Sequence, residues 1–431
     1  MSAPSATVHP ARAVQGVVRI PGDKSISHRY AMLAAIAEGT SRFHNFSAAR
    51  DCFSTLGCVS ELGAKWSRSE TDGAIEVVGV GRQLKAPLRS LDCGNSGSTM
   101  RMLSGILAGQ PFASELFGDE SLSRRPMARI MKPLSEMGAK ISSNDAGRPP
   151  LKIHGSSLRP IHYKPEVASA QVKSCVLFAG LFADGETIVE EPIRTRDHGE
   201  LALRAFGVEV ERSGNAASVR GGQKLTAMEA HVPGDLSSAA FFLCAALLFP
   251  GSQISLPGIL MNPTRARLLD ILIMMGLKIT VTQVEQHHGE LIGAIEARGN
   301  RWLGGTIAGA DTAALIDEIP VLAAAAPYSE DGLEVRDGKE LRVKESDRIA
   351  AVATNLRKMG AEVEERPDGL RISGGQRLHG AELDSFGDHR IAMAFAVAAL
   401  RAEGETTILG SDAAGVSYPT FFEDLGAVAA G

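Results

Sequence analysis

Six copies of one pattern run through the chain: a segment of small and polar residues followed by an Ala- and Leu-rich helical stretch. An amphipathic stretch that ends at a glycine recurs in phase with it, and glycine is the residue expected directly after a helix. Two independent markers with a common period of roughly 70 residues indicate repeated subdomains, since solenoid repeats are shorter. The copies of the first pattern cover residues 23–42, 93–107, 168–189, 233–254, 316–335 and 386–408. The glycines of the second pattern are Gly63, Gly138, Gly207, Gly276, Gly360 and Gly426.

Each copy combines two helical stretches with short strand-like runs, so the fold class is predicted to be α/β (α+β). At 431 residues the chain exceeds the size of one ordinary core, and six copies fit two domains of three. Pro21-Gly22 and Pro233-Gly234 are matching turn signals at the start of the first and fourth copies. If the chain crosses between domains at both, residues 22–234 form one domain and residues 1–21 with 235–431 form the other.

Composition excludes several classes of protein. The net charge of −5 argues against a general nucleic-acid-binding protein, so any anion site must come from local clusters of basic residues. No apolar run is long enough to span a bilayer, the longest being residues 239–249, and residues 1–10 lack the apolar core of a secretory signal. The five cysteines are odd in number and contain no CxxC pair. These features predict reduced thiols in a cytoplasmic protein without membrane or nucleic-acid partners.

The octapeptide Gly22–Arg29 lies between a strand-like run and a helical stretch. At the start of a helix, free N–H groups and the positive end of the dipole favour anions, and Lys24 and Arg29 add two cations. Ser25 adds a hydroxyl group. A capped surface helix with two solvated cations is an equally good interpretation of these eight residues alone.

Charged and polar side chains recur at the equivalent ends of the other copies. Each cluster by itself would be interpreted as a capped helix with a solvated loop. Together they indicate a small polyanionic ligand, because arginine binds phosphate or carboxylate through paired hydrogen bonds. Gly94 and Gly97 would let such a ligand approach backbone N–H groups. No P-loop, dinucleotide-binding or nucleophile-elbow motif occurs, and the adjacent His287 and His288 lack metal-ligand spacing.

Eight separated motifs of this chain resemble those of the 5-enolpyruvylshikimate-3-phosphate synthase family, the 3-phosphoshikimate 1-carboxyvinyltransferases. Their order and spacing agree with the family over nearly the whole chain. The resemblance implies a two-domain enolpyruvyl transferase fold with six βαβαββ units, three in each domain. It also implies transfer of the enolpyruvyl group of phosphoenolpyruvate to the 5-hydroxyl of shikimate 3-phosphate, with release of phosphate. The motifs are Pro-Gly-Asp-Lys-Ser-Ile-Ser-His-Arg from Pro21, Gly-Asn-Ser-Gly from Gly94, Ser-Leu-Ser-Arg-Arg-Pro-Met from Ser121, Ser-Ala-Gln from Ser169, Thr-Arg-Asp-His from Thr195, Ile-Asp-Glu from Ile316, Arg-Val-Lys-Glu-Ser-Asp-Arg from Arg342 and Gly-Asp-His-Arg from Gly387.

The resemblance further implies which residues bind the two substrates, with Lys24 contacting both. Shikimate 3-phosphate would be held by Lys24, Ser25, Arg29, Ser169, Gln171, Arg196, Asp317 and Lys344. Phosphoenolpyruvate would be held by Lys24, Asn95, Gly97, Arg125, Gln171, Arg348 and Arg390.

The reaction explains why these residue types are needed. Addition requires a proton at the methylene carbon and loss of one from the 5-hydroxyl, and elimination then requires a base for the methyl group. Asp317, Glu345 and Lys24 are the candidates for these proton transfers, whose order stays open. The arginine cluster would neutralise phosphate and carboxylate, so no metal and no cofactor is expected. We further expect a monomer whose partners are the two small-molecule substrates.

Three positions depart from the pattern of some relatives. Glu340 stands where some carry Asn, and Val416 stands where some carry Lys. Ala170 stands where some carry Ser. The missing cation at Val416 bears on phosphoenolpyruvate binding, and Ala170 removes one side-chain contact to a phosphate.

Two alternatives share the predicted fold. The enolpyruvyl transferase that acts on UDP-N-acetylglucosamine typically has Lys-Asn where this chain has Lys24-Ser25, and it lacks the equivalent of Arg29. A non-catalytic anion-binding protein would not need Asp317 and Glu345 among the basic residues. Phosphate release on mixing the protein with both substrates would separate the three functions.

Overall fold

Helices and short strands alternate along the part of the chain that the computed structural model describes, residues 4–144 and 146–430. The α-helices are α1 (Lys24–Ala35), α2 (Arg50–Glu61), α3 (Gly97–Ala108), α4 (Glu120–Ser123), α5 (Ala128–Glu136), α6 (Ala170–Gly180), α7 (His198–Ala205), α8 (Leu236–Leu247), α9 (Arg267–Met274), α10 (Ala310–Ala314), α11 (Ile319–Ala325), α12 (Arg348–Lys358), α13 (His389–Ala399) and α14 (Phe421–Val428). Short 3₁₀ helices cover Ala326–Tyr328, Lys339–Val343 and Ser411–Val416.

The strands are short, most of them three to five residues long. They are β1 (Ser5–Val8), β2 (Ala13–Val17), β3 (Thr40–His44), β4 (Lys65–Arg68), β5 (Ile75–Val78), β6 (Leu91–Asp92), β7 (Ala113–Phe117), β8 (Lys140–Ser142), β9 (Leu151–His154), β10 (His162–Tyr163), β11 (Glu186–Glu190), β12 (Val210–Ser213), β13 (Ala216–Arg220), β14 (Glu229–His231), β15 (Gln253–Leu260), β16 (Lys278–His287), β17 (Glu290–Arg298), β18 (Gly305–Ile307), β19 (Leu333–Val335), β20 (Val363–Arg366), β21 (Gly369–Ile372), β22 (Glu382–Asp384), β23 (Thr406–Leu409) and β24 (Ala429–Ala430).

The described chain divides into two compact units. The first unit holds Gly22–Val232 together with Gln286–Glu290. The second unit holds the residues up to Pro21, Pro233–Glu285 and the residues from Leu291 onward.

Within the described residues the strands form six sheets, three in each unit. Four of these sheets repeat one order, in which a parallel pair is followed by two antiparallel pairs, as in β6-β7-β9-β8. Helices that alternate with these small mixed sheets confirm the predicted α/β (α+β) class. The orders are β14-β3-β5-β4, β6-β7-β9-β8 and β10-β11-β13-β12 in the first unit, and β18-β19-β21-β20, β16-β17-β15-β2-β24 and β1-β23-β22 in the second.

Alternating burial gives the strands one face toward the core. In β7, Ser114 and Leu116 are buried while Phe117 is exposed. Leu116 pairs with Leu91 in parallel register and with Leu151 in antiparallel register. Helix α3 packs beside β9 of this sheet, so the apolar strand residues meet a buried helix.

Helix α8 contains most of the longest apolar run of the sequence, and all 12 of its residues are buried. Its length suits a core helix, because a span of the bilayer takes about 20 residues. Among the described residues, no helix combines the length and apolar character needed to cross a membrane.

The small and polar segments open the six helices that they were predicted to open, namely α1, α3, α6, α8, α11 and α13. In the described chain, five of these helices are capped by the side chain of the preceding residue, which accepts hydrogen bonds from N–H groups of the first turn. The sixth, α11, follows Glu318, whose side chain makes no such bond. The capping residues are Asp23, Ser96, Ser169, Asp235 and Asp388.

Glycines end the other set of helices, as the sequence predicted. Gly63, Gly138, Gly207, Gly276 and Gly360 follow helices and have positive φ angles, between 84° and 111°. Glycine is favoured there because a Cβ atom is strained in this conformation.

The prediction that the last helix ends at Leu425-Gly426 is wrong. Gly426 lies inside α14, which continues to Val428. The extra residues are helical because Val428 is buried there, at 6% exposure, and its burial stabilises a further part of the helix.

Candidate active site

Lys24 is the first residue of α1 and directly follows the capping residue Asp23. Asp23 Oδ1 accepts a 2.8 Å hydrogen bond from the N–H of Ile26, which closes the first turn of the helix. Lys24 Nζ lies 3.0 Å from Asp51 Oδ2, with the two side chains 18% and 8% exposed. Lys24 is therefore a largely buried cation whose position is held by a carboxylate on α2.

Arg29 lies one turn further along α1 and is almost fully buried. Its Nη1 donates a 2.8 Å hydrogen bond to the carbonyl of Ser25, and its Nη2 donates a 3.0 Å bond to Ser174 Oγ on α6. Burial lowers the pKa of Arg29 to about 10, an effect that Glu200 opposes and the nearby Arg196 adds to. At neutral pH the Arg29 guanidinium is still charged, so α1 carries a buried cation near that of Arg196.

His28 belongs to the interior of the first unit. Its Nδ1 lies 2.7 Å from Thr55 Oγ1, which lies 2.7 Å from Thr99 Oγ1, and Thr99 in turn donates a 2.7 Å bond to Ser96 Oγ. Burial, and then the charges of Lys24 and Arg29, lower the pKa of His28 well below its usual range. A neutral imidazole therefore links α1, α2 and the start of α3.

The loop between β11 and α7 carries Arg196, whose side chain is partly exposed. Glu191, at the start of this loop, accepts hydrogen bonds from the N–H and the hydroxyl of Thr195. Lys173 Nζ on α6 lies 2.8 Å from Glu191 Oε2 and 2.9 Å from Glu200 Oε1, and all three charged side chains are at most 2% exposed. A buried ion cluster thus anchors the loop beside Arg196.

His198, the last residue of the Thr-Arg-Asp-His motif, also points into the protein. Its Nδ1 lies 2.6 Å from Glu290 Oε1, and the two side chains are 0% and 3% exposed. Neither His198 nor His28 is placed like an exposed ligand-binding imidazole.

Arg125 and Asn95 form one polar group at the start of α3. Arg125 Nη2 donates a 2.8 Å hydrogen bond to Asn95 Oδ1 and a 3.1 Å bond to Ser121 Oγ. Asn95 Nδ2 donates a 2.7 Å bond to Asp119 Oδ2. These contacts fix the orientation of the guanidinium.

Gly97 and Gln171 lie beside this group. A Cβ atom at Gly97 would lie 2.8 Å from Arg101 Nη1 and 3.4 Å from Arg125 Nη1, so two guanidinium groups face the bare Cα atom. Gln171 Nε2 donates a 2.9 Å bond to Ser98 Oγ, and Gln171 Oε1 accepts a 2.8 Å bond from Arg101 Nη1. The first unit thus brings Asn95, Gly97, Arg125 and Gln171 together.

Asp317 is the centre of a cluster of cations in the second unit. Its Oδ1 lies 3.6 Å from Arg348 Nη1, 3.7 Å from Lys344 Nζ and 4.0 Å from Arg390 Nε. The Asp317 side chain is 18% exposed, so the carboxylate is shielded from water without being sealed off. All of these residues were predicted from the sequence.

Arg348 is the most deeply buried cation of this cluster, at 2% exposure. Its Nη2 donates a 2.6 Å hydrogen bond to Glu345 Oε2, and its Nε donates a 2.9 Å bond to Asp388 Oδ2. Although burial disfavours the charged form, Asp388 and Glu345 together raise the pKa of Arg348. Glu345 is thereby tied to a permanent cation at the start of α12.

The remaining predicted residues lie at helix ends and turns. Ser25 is in the first turn of α1, and Ser169 caps α6 by accepting a 3.4 Å hydrogen bond from the N–H of Val172. Of the positions that depart from some relatives, Ala170 opens α6, and the exposed Glu340 and half-buried Val416 lie in 3₁₀ helices.

Two features of these clusters were not predicted from the sequence. Arg101 bonds to Gln171 and faces Gly97, and the only sequence signal was its position one turn after Gly97 on the same helix. Lys173 gave no signal, because it lies in an apolar stretch and its partners are distant in the chain. Among the described residues, no group of three or more His, Cys, Asp or Glu side chains is arranged to hold a metal ion.

Comparison with known proteins identifies the family. The family model described as EPSP synthase (3-phosphoshikimate 1-carboxyvinyltransferase) matches residues 8–425. The chain is 62% identical over 424 residues to the 3-phosphoshikimate 1-carboxyvinyltransferase of Koribacter versatilis, covering 98% of this chain and 99% of the relative. It is 56% identical over 422 residues to that of Solibacter usitatus, with 98% and 99% of the two chains covered.

Solved structures agree with the sequence comparison. The EPSP synthase of Acinetobacter baumannii superposes with a TM-score of 0.87 at 42% identity, covering 99% of this chain and 98% of that one. The enolpyruvyl transferase NikO of Streptomyces tendae has a TM-score of 0.83 over 100% and 98% of the two chains, and at 19% identity it shows the fold alone. The predicted enolpyruvyl transferase fold and the predicted transfer of the enolpyruvyl group to shikimate 3-phosphate are therefore confirmed, and the alternatives are not favoured. The chain belongs to the EPSP synthase family, the 3-phosphoshikimate 1-carboxyvinyltransferases.

Proposed function

We propose that the site residues predicted from the sequence bind and convert phosphoenolpyruvate and shikimate 3-phosphate in the roles that their surroundings favour. In the first unit, Ser25, Arg29, Ser169 and Arg196 bind the phosphate and hydroxyl groups of shikimate 3-phosphate. Arg29 supports this role, because its guanidinium is buried, charged and oriented by a hydroxyl and a carbonyl oxygen. A phosphate would complete its hydrogen bonding.

The group around Gly97 binds phosphoenolpyruvate. Its support is the convergence of two guanidinium groups on a position without a side chain, which leaves room for a small anion. Gln171 contacts both substrates, as does Lys24. The residues proposed for phosphoenolpyruvate are Lys24, Asn95, Gly97, Arg125, Gln171, Arg348 and Arg390.

Asp317 takes the proton of the 5-hydroxyl, and Lys344 beside it binds shikimate 3-phosphate. The observation that carries this role is the presence of three cations within 4.0 Å of the Asp317 carboxylate. Those cations pair with the carboxylate and compensate the charge of two anionic substrates. Glu345, which pairs with Arg348, and Lys24, which pairs with Asp51, are the other groups proposed for the proton transfers.

The same proposal includes a cytoplasmic monomer that needs no metal ion or cofactor. The arginine and lysine side chains supply the positive charge that a metal supplies to phosphate groups elsewhere. The five cysteines are free and buried, which fits a reducing compartment. Unchanged turnover in the presence of a chelator, and a monomer mass in sedimentation, are the expected results.

Phosphate release tests the role of Asp317 directly. Asp317→Asn should lower turnover on the order of 10²-fold, because the amide keeps the shape of the side chain and loses the base. A matched control is Asp311→Asn, which removes a carboxylate of the same unit that pairs with Arg267 at 2.6 Å. Asp311→Asn should release phosphate at the wild-type rate. Wild-type turnover in a folded Asp317→Asn variant would contradict the proposed role.

A further inference from the structure

Glu318 behaves unlike the other residues that precede the six buried helices. In the described chain, the equivalent residues of α1, α3, α6, α8 and α13 cap the first turn of the helix that follows. Glu318 stands directly before α11 and makes no side-chain cap, although its residue type is polar and its side chain is buried. The Glu318 carboxylate instead accepts a hydrogen bond from a residue outside α11.

The carboxylate of Glu318 meets Ser237, which lies in the first turn of α8. The Ser237 hydroxyl donates a hydrogen bond to Glu318 Oε1 and accepts one from Arg265 Nη2. The direction of both bonds is determined, because a guanidinium group only donates and a carboxylate only accepts. Ser237 therefore bridges a buried cation and a buried anion.

The burial of this bridge explains why it must remain intact. Arg265, Ser237 and Glu318 are 6%, 3% and 4% exposed. Arg265 Nη2 lies 3.8 Å from Glu318 Oε1 and 3.8 Å from Asp235 Oδ1, so the charges compensate one another away from water. Removing a charged member of such a group leaves a buried charge with less compensation, and removing Ser237 takes away a hydrogen-bond partner from both Arg265 and Glu318.

The bridge restrains Asp317 because Glu318 is its neighbour in the chain. Glu318 is the next residue, so fixing its side chain restricts the backbone on one side of Asp317. The carbonyl of the peptide group that joins the two residues, that of Asp317, accepts a 2.7 Å hydrogen bond from Arg390 Nη1. Two contacts, one to the Asp317 carbonyl and one to the Glu318 side chain, thus restrain the backbone directly after the Asp317 carboxylate.

We propose that Glu318 is a positioning residue for Asp317, and that Ser237 and Arg265 hold Glu318 in place for this purpose. The inference rests on the proposed role of Asp317 in the transfer reaction. Glu318 does not touch substrate in this proposal. It keeps the carboxylate of its neighbour at the distance and angle that proton transfer requires.

The first test is Ser237→Ala, which removes the bridge. A small displacement of a reacting group is costly, so kcat should fall about ten- to a hundredfold. The KM for phosphoenolpyruvate should stay unchanged, because the arginines proposed to bind it are not part of the bridge. Ser329→Ala is the matched control, since this buried hydroxyl lies beyond the other end of α11 and donates a 2.7 Å bond to the carbonyl of Ala326. It should keep the wild-type kcat.

A double-mutant cycle separates positioning from a general loss of stability. If Ser237 and Glu318 act through Asp317, Ser237→Ala should cause no further loss of kcat in a protein that already carries Asp317→Asn. Independent losses that multiply in the double variant would overturn the proposal. Glu318→Gln, which keeps an acceptor for Ser237, should retain more turnover than Glu318→Ala and gives a second measurement if Ser237→Ala fails to fold.

Different outcomes would refute the role of Asp317 and the positioning role of Glu318. Wild-type turnover of Asp317→Asn would refute the role of Asp317 and the positioning inference with it. A large loss in Asp317→Asn beside wild-type turnover in folded Ser237→Ala and Glu318→Gln would refute the positioning inference alone.

Discussion

Arg390 holds Asp317 by its backbone and lies close to its carboxylate. Nη1 of Arg390 donates a 2.7 Å hydrogen bond to the main-chain carbonyl of Asp317, which lies 73 positions earlier in the sequence. Nε of the same guanidinium lies 4.0 Å from Asp317 Oδ1. One side chain therefore connects the start of α13 with the turn before α11.

Arg390→Lys should lower kcat/KM for phosphoenolpyruvate about ten- to a hundredfold. Lysine keeps the charge but lacks the planar fork that reaches two groups at once. The loss corresponds to about 1.5–3 kcal/mol, the usual worth of a hydrogen bond to a charged group. Steady-state phosphate release checks it. Arg401→Lys is the control, because Arg401 Nη1 also donates a 2.7 Å bond to a carbonyl, that of Leu248. Equal effects of the two substitutions would contradict the prediction.

Arg125→Ala should weaken phosphoenolpyruvate binding more than shikimate 3-phosphate binding. Arg125 is 7% exposed and is oriented by Asn95 and Ser121, so its loss removes a preorganised donor. Titration calorimetry with each ligand separately would measure the two affinities. The neighbouring Arg124 offers a control, since it forms a surface pair with Glu120 and its side chain is 65% exposed. An unchanged phosphoenolpyruvate affinity in Arg125→Ala would show that the assignment is wrong.

Gly97→Ala should raise the KM for phosphoenolpyruvate while the protein stays folded. The added methyl group would lie 2.8 Å from Arg101 Nη1, closer than van der Waals contact allows, and it would displace a flexible guanidinium rather than backbone. Gly57→Ala on α2 is the control, because nothing lies within 4 Å of a Cβ atom there. That substitution should stabilise the helix by about 0.5–1 kcal/mol and leave the KM unchanged. A wild-type KM for Gly97→Ala would count against the proposed subsite.

Lys173→Met should destabilise the first unit by about 3–5 kcal/mol, because it leaves Glu191 and Glu200 buried without a cation. Urea unfolding would measure the loss. Lys164→Met is the matched control, since Lys164 pairs with Glu190 at 2.9 Å on the surface. This substitution should change the free energy of unfolding little. If both variants unfolded at the wild-type urea concentration, the ion cluster would not be a source of stability.

His28 should make the stability of the protein depend on pH below neutrality. Its pKa is lowered in the folded protein, chiefly by burial, whereas the unfolded chain has an ordinary value near 6.5. As the pH falls below about 6.5, the unfolded chain binds a proton that the folded chain does not, so stability decreases with a slope of at most about 1.4 kcal/mol per pH unit. Above that pH both states are neutral, and this contribution is constant.

The substitution His28→Gln should flatten that decrease, as measured by the free energy of unfolding in urea at several pH values between 7.5 and 5.5. His154→Gln is the control, because this imidazole lies on an exposed position of β9. A pH dependence that His28→Gln leaves as steep as in the wild type would mean that other groups produce it.

The sequence alone was sufficient for the fold class and the family. A capping side chain and the N–H group that it binds lie two or three residues apart, as with Asp23 and Ile26, so the signal is local and can be read directly. A glycine directly after a helix is also a local signal that can be read from the sequence. Repetition of these local signals predicted six units, and the eight motifs predicted the family. The individual substrate contacts and the domain ranges 22–234 and 1–21 with 235–431 stay predictions.

The tertiary structure decided which charged groups meet. Ser237 and Glu318 are 81 positions apart, Ser237 and Arg265 are 28 apart, and Lys173 and Glu191 are 18 apart. Lys173 could not be predicted from the sequence, because its position in an apolar helix is explained only by its ion pairs with Glu191 and Glu200 in the folded chain. Glu318 was predicted to belong to a polar helix start, but only the packing of α8 beside α11 shows why its side chain leaves the cap. Local propensities act over a few residues, whereas the pairing of buried charges depends on how the helices pack.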